Sequence, residues 1–121
     1  MSRLTNFFSR DKSVLFADYG IKFPRYNLEK YPNEYIYHFD LPGIKKDDVT
    51  VYESDGNLVI KGKRDMDLNG SEFIYNESKF GQFERSIKLE QDAIQDECSS
   101  KLTNGVLKVH FTRKQVIKDI P

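Results

Sequence analysis

One cysteine, no surplus of charge and no long apolar run set the first limits on this chain. With Cys98 alone there is no intrachain disulfide framework and no cysteine metal cluster, so a reducing cytoplasm is the expected location. The 19 basic and 19 acidic residues are closely mixed and cancel. A phosphate-binding face needs a basic excess, so no nucleic-acid partner is expected. Weak net repulsion instead permits self-association. No run approaches the length that spans a bilayer and no charged-then-apolar leader opens the sequence, so no stable membrane insertion is expected either. Apolar residues are scarce, at 38%, where soluble domains carry about 45–50%. That deficit points to stabilising surface shared between subunits, with a small monomer as the open alternative. At 121 residues the chain fits one domain, read as a short aromatic N-terminal arm over 1–23, a body over 24–114 and a C-terminal tail over 115–121.

What is present is β-structure. Asn104-Gly105 suits a two-residue type I′ hairpin, because both positions need φ > 0. A turn there sets Leu102 opposite Leu107 and Ser100 opposite Val109, on one face with Phe111. Lys101, Thr103, Val106, Lys108 and His110 take the other face. Tyr35, Tyr37, Phe39 and Leu41 alternate with Ile36, His38 and Asp40 until Pro42-Gly43 stops the strand. Arg25–Lys30 reads as a short strand, and Tyr31-Pro32-Asn33-Glu34 as the turn after it. Val49–Glu53 and Leu58–Gly62 flank a turn at Ser54-Asp55-Gly56-Asn57. Phe83, Arg85, Ile87 and Leu89 share a face of another strand, and Asp92–Glu97 is expected to form one helical turn. Short strands separated by turns, with no long helix, predict an all-β antiparallel sandwich.

Two segments break the pattern. The N-terminal arm carries Phe7, Phe8, Phe16, Tyr19 and Phe23 without a sustained period, apart from a helical turn expected near Leu4–Ser9. It reads either as a disordered leader or as an adhesive segment for assembly or client binding through Phe7, Phe8 and Phe16. From Lys63 to Gly81 a polar loop holds one β-capable cluster, Phe73-Ile74-Tyr75. Three such residues between polar linkers cannot bury themselves locally. Adding to another sheet edge satisfies their backbone groups, and folding back on their own sheet is the alternative.

Four pieces, Tyr35–Gly43 running into Asp-Leu-Pro-Gly, Leu58-Val59-Ile60-Lys61-Gly62, Gly81-Gln82-Phe83-Glu84-Arg85 and Asn104-Gly105-Val106-Leu107, stand in this order. Together they resemble the small heat-shock proteins with their alpha-crystallin domain, over roughly Pro24 to Lys114. Ser100 stands where that family usually has Ala. The resemblance implies an immunoglobulin-like sandwich with a projecting loop strand and flexible arms, which forms a homodimer and then a higher oligomer. It implies a dimer interface through Phe73, Ile74, Tyr75 and Arg85, with an acidic partner for Arg85. The alternative for Arg85 is a packed stem whose head reaches water. It also implies a groove for the tail, or for clients, between the strands of Val49 and Val51 and of Ser100 and Leu102. The tail departs from the family's Ile-x-Ile anchor: Ile117 and Ile120 are three apart, and an extended chain puts Val116 and Ile120 on one face.

The resemblance implies an ATP-independent holdase for non-native client proteins, which passes them to ATP-driven chaperones, with no cofactor. The alternative is a CS-domain-like co-chaperone module that docks one partner as a monomer. An enzyme is not expected. His38 and His110 stand isolated on strands, Cys98 has no adjacent base, and no glycine-rich phosphate loop occurs.

Overall fold

Period-two alternation between core and solvent decides the architecture. The computed structural model describes residues 16, 20 and 22–115. It contains seven strands: β1 (Tyr26–Lys30), β2 (Glu34–Asp40), β3 (Val49–Ser54), β4 (Asn57–Arg64), β5 (Gly81–Lys88), β6 (Ala93–Thr103) and β7 (Val106–Arg113). A 3-10 turn, Lys46–Asp48, precedes β3. One sheet has the order β1-β2-β7-β6 and the other β3-β4-β5, with every pairing antiparallel.

The core lies between the sheets. Tyr35, Tyr37 and Phe39 of β2 and Leu107, Val109 and Phe111 of β7 meet Leu58, Ile60, Phe83 and Ile87 from the facing sheet. Burying side chains of this size contributes about 1.5–3 kcal/mol each before ordering costs. Tyr37 and Phe111 meet edge to face at 5.8 Å, an arrangement the ring quadrupoles favour. Both anticipated hairpin turns form. Asn104 and Gly105 take φ of 52° and 76°, and Asp55 and Gly56 take 52° and 80°. Leu102 pairs with Leu107 and Ser100 with Val109, the register the turn dictates.

The helical turn expected at Asp92–Glu97 is absent. The chain turns earlier, with the Ala93 N–H donating to the Glu90 carbonyl at 3.1 Å, and β6 then starts at Ala93. The cause is a clasp the local composition does not reveal. Asp92 accepts from the Tyr35 hydroxyl at 2.5 Å and from Arg113 Nε at 2.8 Å. Its carbonyl accepts from the Lys114 N–H at 2.7 Å. These bonds hold the start of β6 against the end of β7. The surplus residues emerge as a bulge, because Ala93 pairs with Arg113 but Cys98 already pairs with Phe111.

Phe73-Ile74-Tyr75 lies in the connection between β4 and β5 and joins no ladder among the described residues. Strand β4 runs past Gly62 to Arg64, and Gly62 faces Phe83. A Cβ on Gly62 would lie 2.1 Å from the Asp48 carbonyl oxygen and 2.9 Å from the Phe83 ring. A hydrogen is the largest group that fits there.

Gly62→Ala is expected to cost roughly 1–3 kcal/mol through overpacking, read as a lower urea midpoint with an unchanged slope. An unaltered midpoint would show that the 3-10 turn moves aside freely. A second outcome concerns pH. The Tyr35 hydroxyl and then the Arg113 guanidinium hold the Asp92 carboxyl below its ordinary pKa. A carboxyl depressed in the folded state adds stability above its unfolded pKa of about 3.9 and loses it as pH falls through the folded value. Asp92→Asn should therefore lower Tm at neutral pH, and the gap to wild type should close on acidification. A gap that does not narrow as the pH falls below about 3.9 would remove the charge from the explanation.

Candidate functional site

Three surface features lie where the sandwich leaves strand edges without a neighbour. The first is a groove between the sheets, where β3 and β6 are both edge strands. Alternation sends Val49 and Val51 inward from β3, and Ser100 and Leu102 inward from β6. These four side chains, with Leu107, line a cavity of about 360 Å³ that Lys46 and Lys101 flank. All four residues expected at the groove are therefore brought together. The groove region continues toward Glu53, Cys98 and Val109 as a smaller hollow of about 120 Å³. Its walls offer unpaired backbone N–H and C=O groups beside apolar side chains, the chemistry that receives an extended segment. Val116, Ile117 and Ile120, the expected tail anchor, lie outside the described residues.

The second feature is the connection between β4 and β5. Phe73, Ile74 and Tyr75 are 44%, 100% and 78% exposed. Phe73 stacks on Phe80 with ring centroids 5.9 Å apart. Asp65, Asp67, Glu72 and Glu77 surround the apolar cluster in sequence.

The third is a cleft of about 680 Å³ beside β1, lined by Lys22, Arg25, Tyr26, Asp40 and Arg85. Arg85 sits on the inward face of β5, as its alternation predicts. Its recorded contacts differ from the acidic partner expected. Nη1 donates to the Pro24 carbonyl at 2.7 Å, and the guanidinium lies over the Tyr26 ring at 4.8 Å. A carbonyl and a ring face disperse the charge that a carboxylate would have met. Asp40 lines the same cleft without being that hydrogen-bond partner.

Phe16, expected on the adhesive arm, is 2% exposed and belongs to the core cluster. The reason is aromatic packing. It stacks on Phe23 at 4.4 Å and meets Phe83 edge on at 6.4 Å. Phe7 and Phe8 lie outside the described residues.

The residues weighed for catalysis are apart. His38 pairs with Glu29, and His110 Nδ1 lies 3.0 Å from Glu34 Oε1, both across strands. The bond from His38 lowers the Glu29 pKa. Cys98 is exposed and unbridged. Among the described residues no group of three His, Cys, Asp or Glu is placed to hold a metal ion. No helix among them is long and apolar enough to cross a membrane. Arg64 was not singled out by sequence reasoning. Its significance depends on Phe16, Phe23 and Phe80 converging from three separate segments, which no local spacing announces.

The sequence profile of the Hsp20/alpha crystallin family matches residues 27–121. The chain belongs to that family. It is 37% identical over 86 residues to the 17.3 kDa class II heat shock protein of Solanum peruvianum, covering 69% of this chain and 56% of that protein. Over 97 residues it is 34% identical to the 16.9 kDa class I heat shock protein 1 of Triticum aestivum, covering 78% of this chain and 64% of that one. The chain thus matches little more than half to under two thirds of these relatives' lengths. A small heat-shock protein structure from Xylella fastidiosa superposes with TM-score 0.72 at 28% identity, covering 81% of this chain and 92% of that one. HSP18.5 of E. histolytica shares the fold, with TM-score 0.73 at 23% identity over 81% of this chain and 94% of that chain. The seven-strand sandwich is accordingly an alpha-crystallin domain. Its groove, its exposed loop cluster and its basic cleft are features of that domain's edges.

Proposed function

We propose that the chain is an ATP-independent holdase, acting as a dimer or larger assembly that binds non-native proteins through apolar surface and keeps them from aggregating. The observation that carries this reading is the groove of Val49, Val51, Ser100 and Leu102, an apolar channel walled by two unpaired strand edges. An unfolding chain offers alternating apolar side chains and free backbone groups, and such a channel satisfies both without regard to sequence. Breadth of client choice follows from non-directional contact. No nucleotide is needed for capture, and clients pass afterwards to ATP-driven chaperones.

Assembly uses the other two features. The loop of one copy lays Phe73, Ile74 and Tyr75 along an open sheet edge of a second copy. Edge β1 suits it, because the cleft beside β1 carries Lys22, Arg25 and Arg85 against the single Asp40, while the loop carries an acidic excess. Arg85 then gains the carboxylate it lacks among its recorded contacts in one chain. The tail's Val116, Ile117 and Ile120 compete with clients for the groove. Their irregular spacing makes that competition weak.

Arg85→Gly should weaken the dimer by about tenfold or more, equivalent to about 1.4 kcal/mol, in sedimentation equilibrium. An unchanged dimer constant would reject the assignment of Arg85 to the interface. The holdase reading is tested by light scattering of a heat-aggregating enzyme mixed with the protein without nucleotide. Suppression should rise with the molar ratio and fall in a Val51→Glu variant that retains its fold by circular dichroism. No suppression at any ratio or temperature would sink the holdase and promote a module that docks a single partner.

A further inference from the structure

The connection between β4 and β5 leaves the sandwich at Arg64 and re-enters it at Gly81. One side chain ties its two ends together. Arg64 Nε donates to the Lys79 carbonyl at 2.9 Å, Nη2 donates to the same oxygen, and Nη1 reaches the Pro42 carbonyl at 3.4 Å. A planar fork holds two carbonyls in this fixed relation, which a single ammonium on a flexible stem does not. The guanidinium also lies over the Phe80 ring at 5.5 Å. Phe80 in turn stacks on Phe73, with 5.9 Å between centroids and 24° between planes. Contacts thus run from the end of β4 through Phe80 to the first residue of the Phe73-Ile74-Tyr75 cluster.

The connection is also bent by its own residues. Asn69 and Gly70 take φ of 44° and 84°, and the Ser71 N–H donates to the Leu68 carbonyl at 2.8 Å. That closes a tight turn of the kind that needs positive φ at both central positions. The Ser71 hydroxyl donates to the same carbonyl, and the Tyr75 hydroxyl donates to Glu77 Oε2 at 2.9 Å. The backbone is therefore tied at its base, at its turn and beside the cluster, while Ile74 stays fully exposed. An apolar side chain held out to water by a tied backbone is surface kept for a second body.

We infer that Arg64 is a positioning residue for assembly: it sets the β4–β5 connection in its docking posture within each copy, so that Phe73, Ile74 and Tyr75 meet the second copy already ordered. This rests on the assembly reading, in which that cluster lies along the β1 edge of another copy. Ordering the connection beforehand lowers the entropy cost of association, because residues that docking would otherwise have to fix are fixed already. Losing Arg64 leaves the cluster's own side chains unchanged and returns that cost to the docking step.

Two variants separate the inference from the reading beneath it. Ile74→Ser tests the reading alone, and should weaken the dimer by about tenfold or more in sedimentation equilibrium. Arg64→Gln tests the positioning. In the Ile74→Ser background, a glutamate-specific protease should cut at Glu72 and Glu77 several-fold faster once Arg64 is replaced. The loss of the sheets followed by far-ultraviolet circular dichroism should stay at the same temperature. With Ile74 intact, Arg64→Gln should weaken the dimer by about tenfold. Arg64→Lys keeps the charge and loses the fork, so it should behave like Arg64→Gln. If replacing Arg64 lowers the sheet transition, Phe80→Leu removes the ring that Arg64 and Phe73 share and gives the same two readings. Unchanged cleavage in both Arg64→Gln and Phe80→Leu would overturn the inference, since the connection would keep its posture without the clasp. So would faster cleavage with an intact dimer constant, where Ile74→Ser does weaken the dimer. Full recovery by Lys would overturn the fork as the cause. A dimer indifferent to Ile74→Ser, with cleavage still faster in Arg64→Gln, rejects the assembly reading and leaves the clasp standing.

Discussion

An open sandwich cannot hide its own edges, and most of what this molecule presents follows from that. Among the described residues, two sheets ordered β1-β2-β7-β6 and β3-β4-β5 leave β1, β6, β3 and β5 each with one unpaired side. Unpaired N–H and C=O groups in a row are templates for further strands. The charged and bulged parts of the edges answer that hazard. Strand β1 carries Glu29 and Lys30 beside exposed backbone, and β6 opens with a bulge ahead of Cys98. The groove is the exception. There β3 and β6 bring edge backbone and inward Val49, Val51 and Leu102 to the same place, so pairing and apolar burial act on one ligand.

Legibility in the sequence tracked the range of the interaction. Strands β2 and β7 could be read because alternation is a local, period-two signal, and Tyr35, Tyr37 and Phe39 are buried as it requires. The hairpin at Asn104-Gly105 could be read because positive φ at both positions narrows the residue choice. From that register one wall of the groove, Ser100 and Leu102, follows, and alternation supplies the other, Val49 and Val51. Their meeting across the sheets came from the family resemblance and not from spacing.

What stayed hidden depends on partners distant along the chain. Asp92 reads as a helix starter until Tyr35 and Arg113 are placed around its carboxylate. Phe16 reads as a sticky arm residue until Phe23, Phe83 and Arg64 are placed around its ring. Arg85 invited a carboxylate because a cation on an inward face needs compensation. A carbonyl and a tyrosine ring supply part of it within the chain. In each case the residue type was informative and the partner was not.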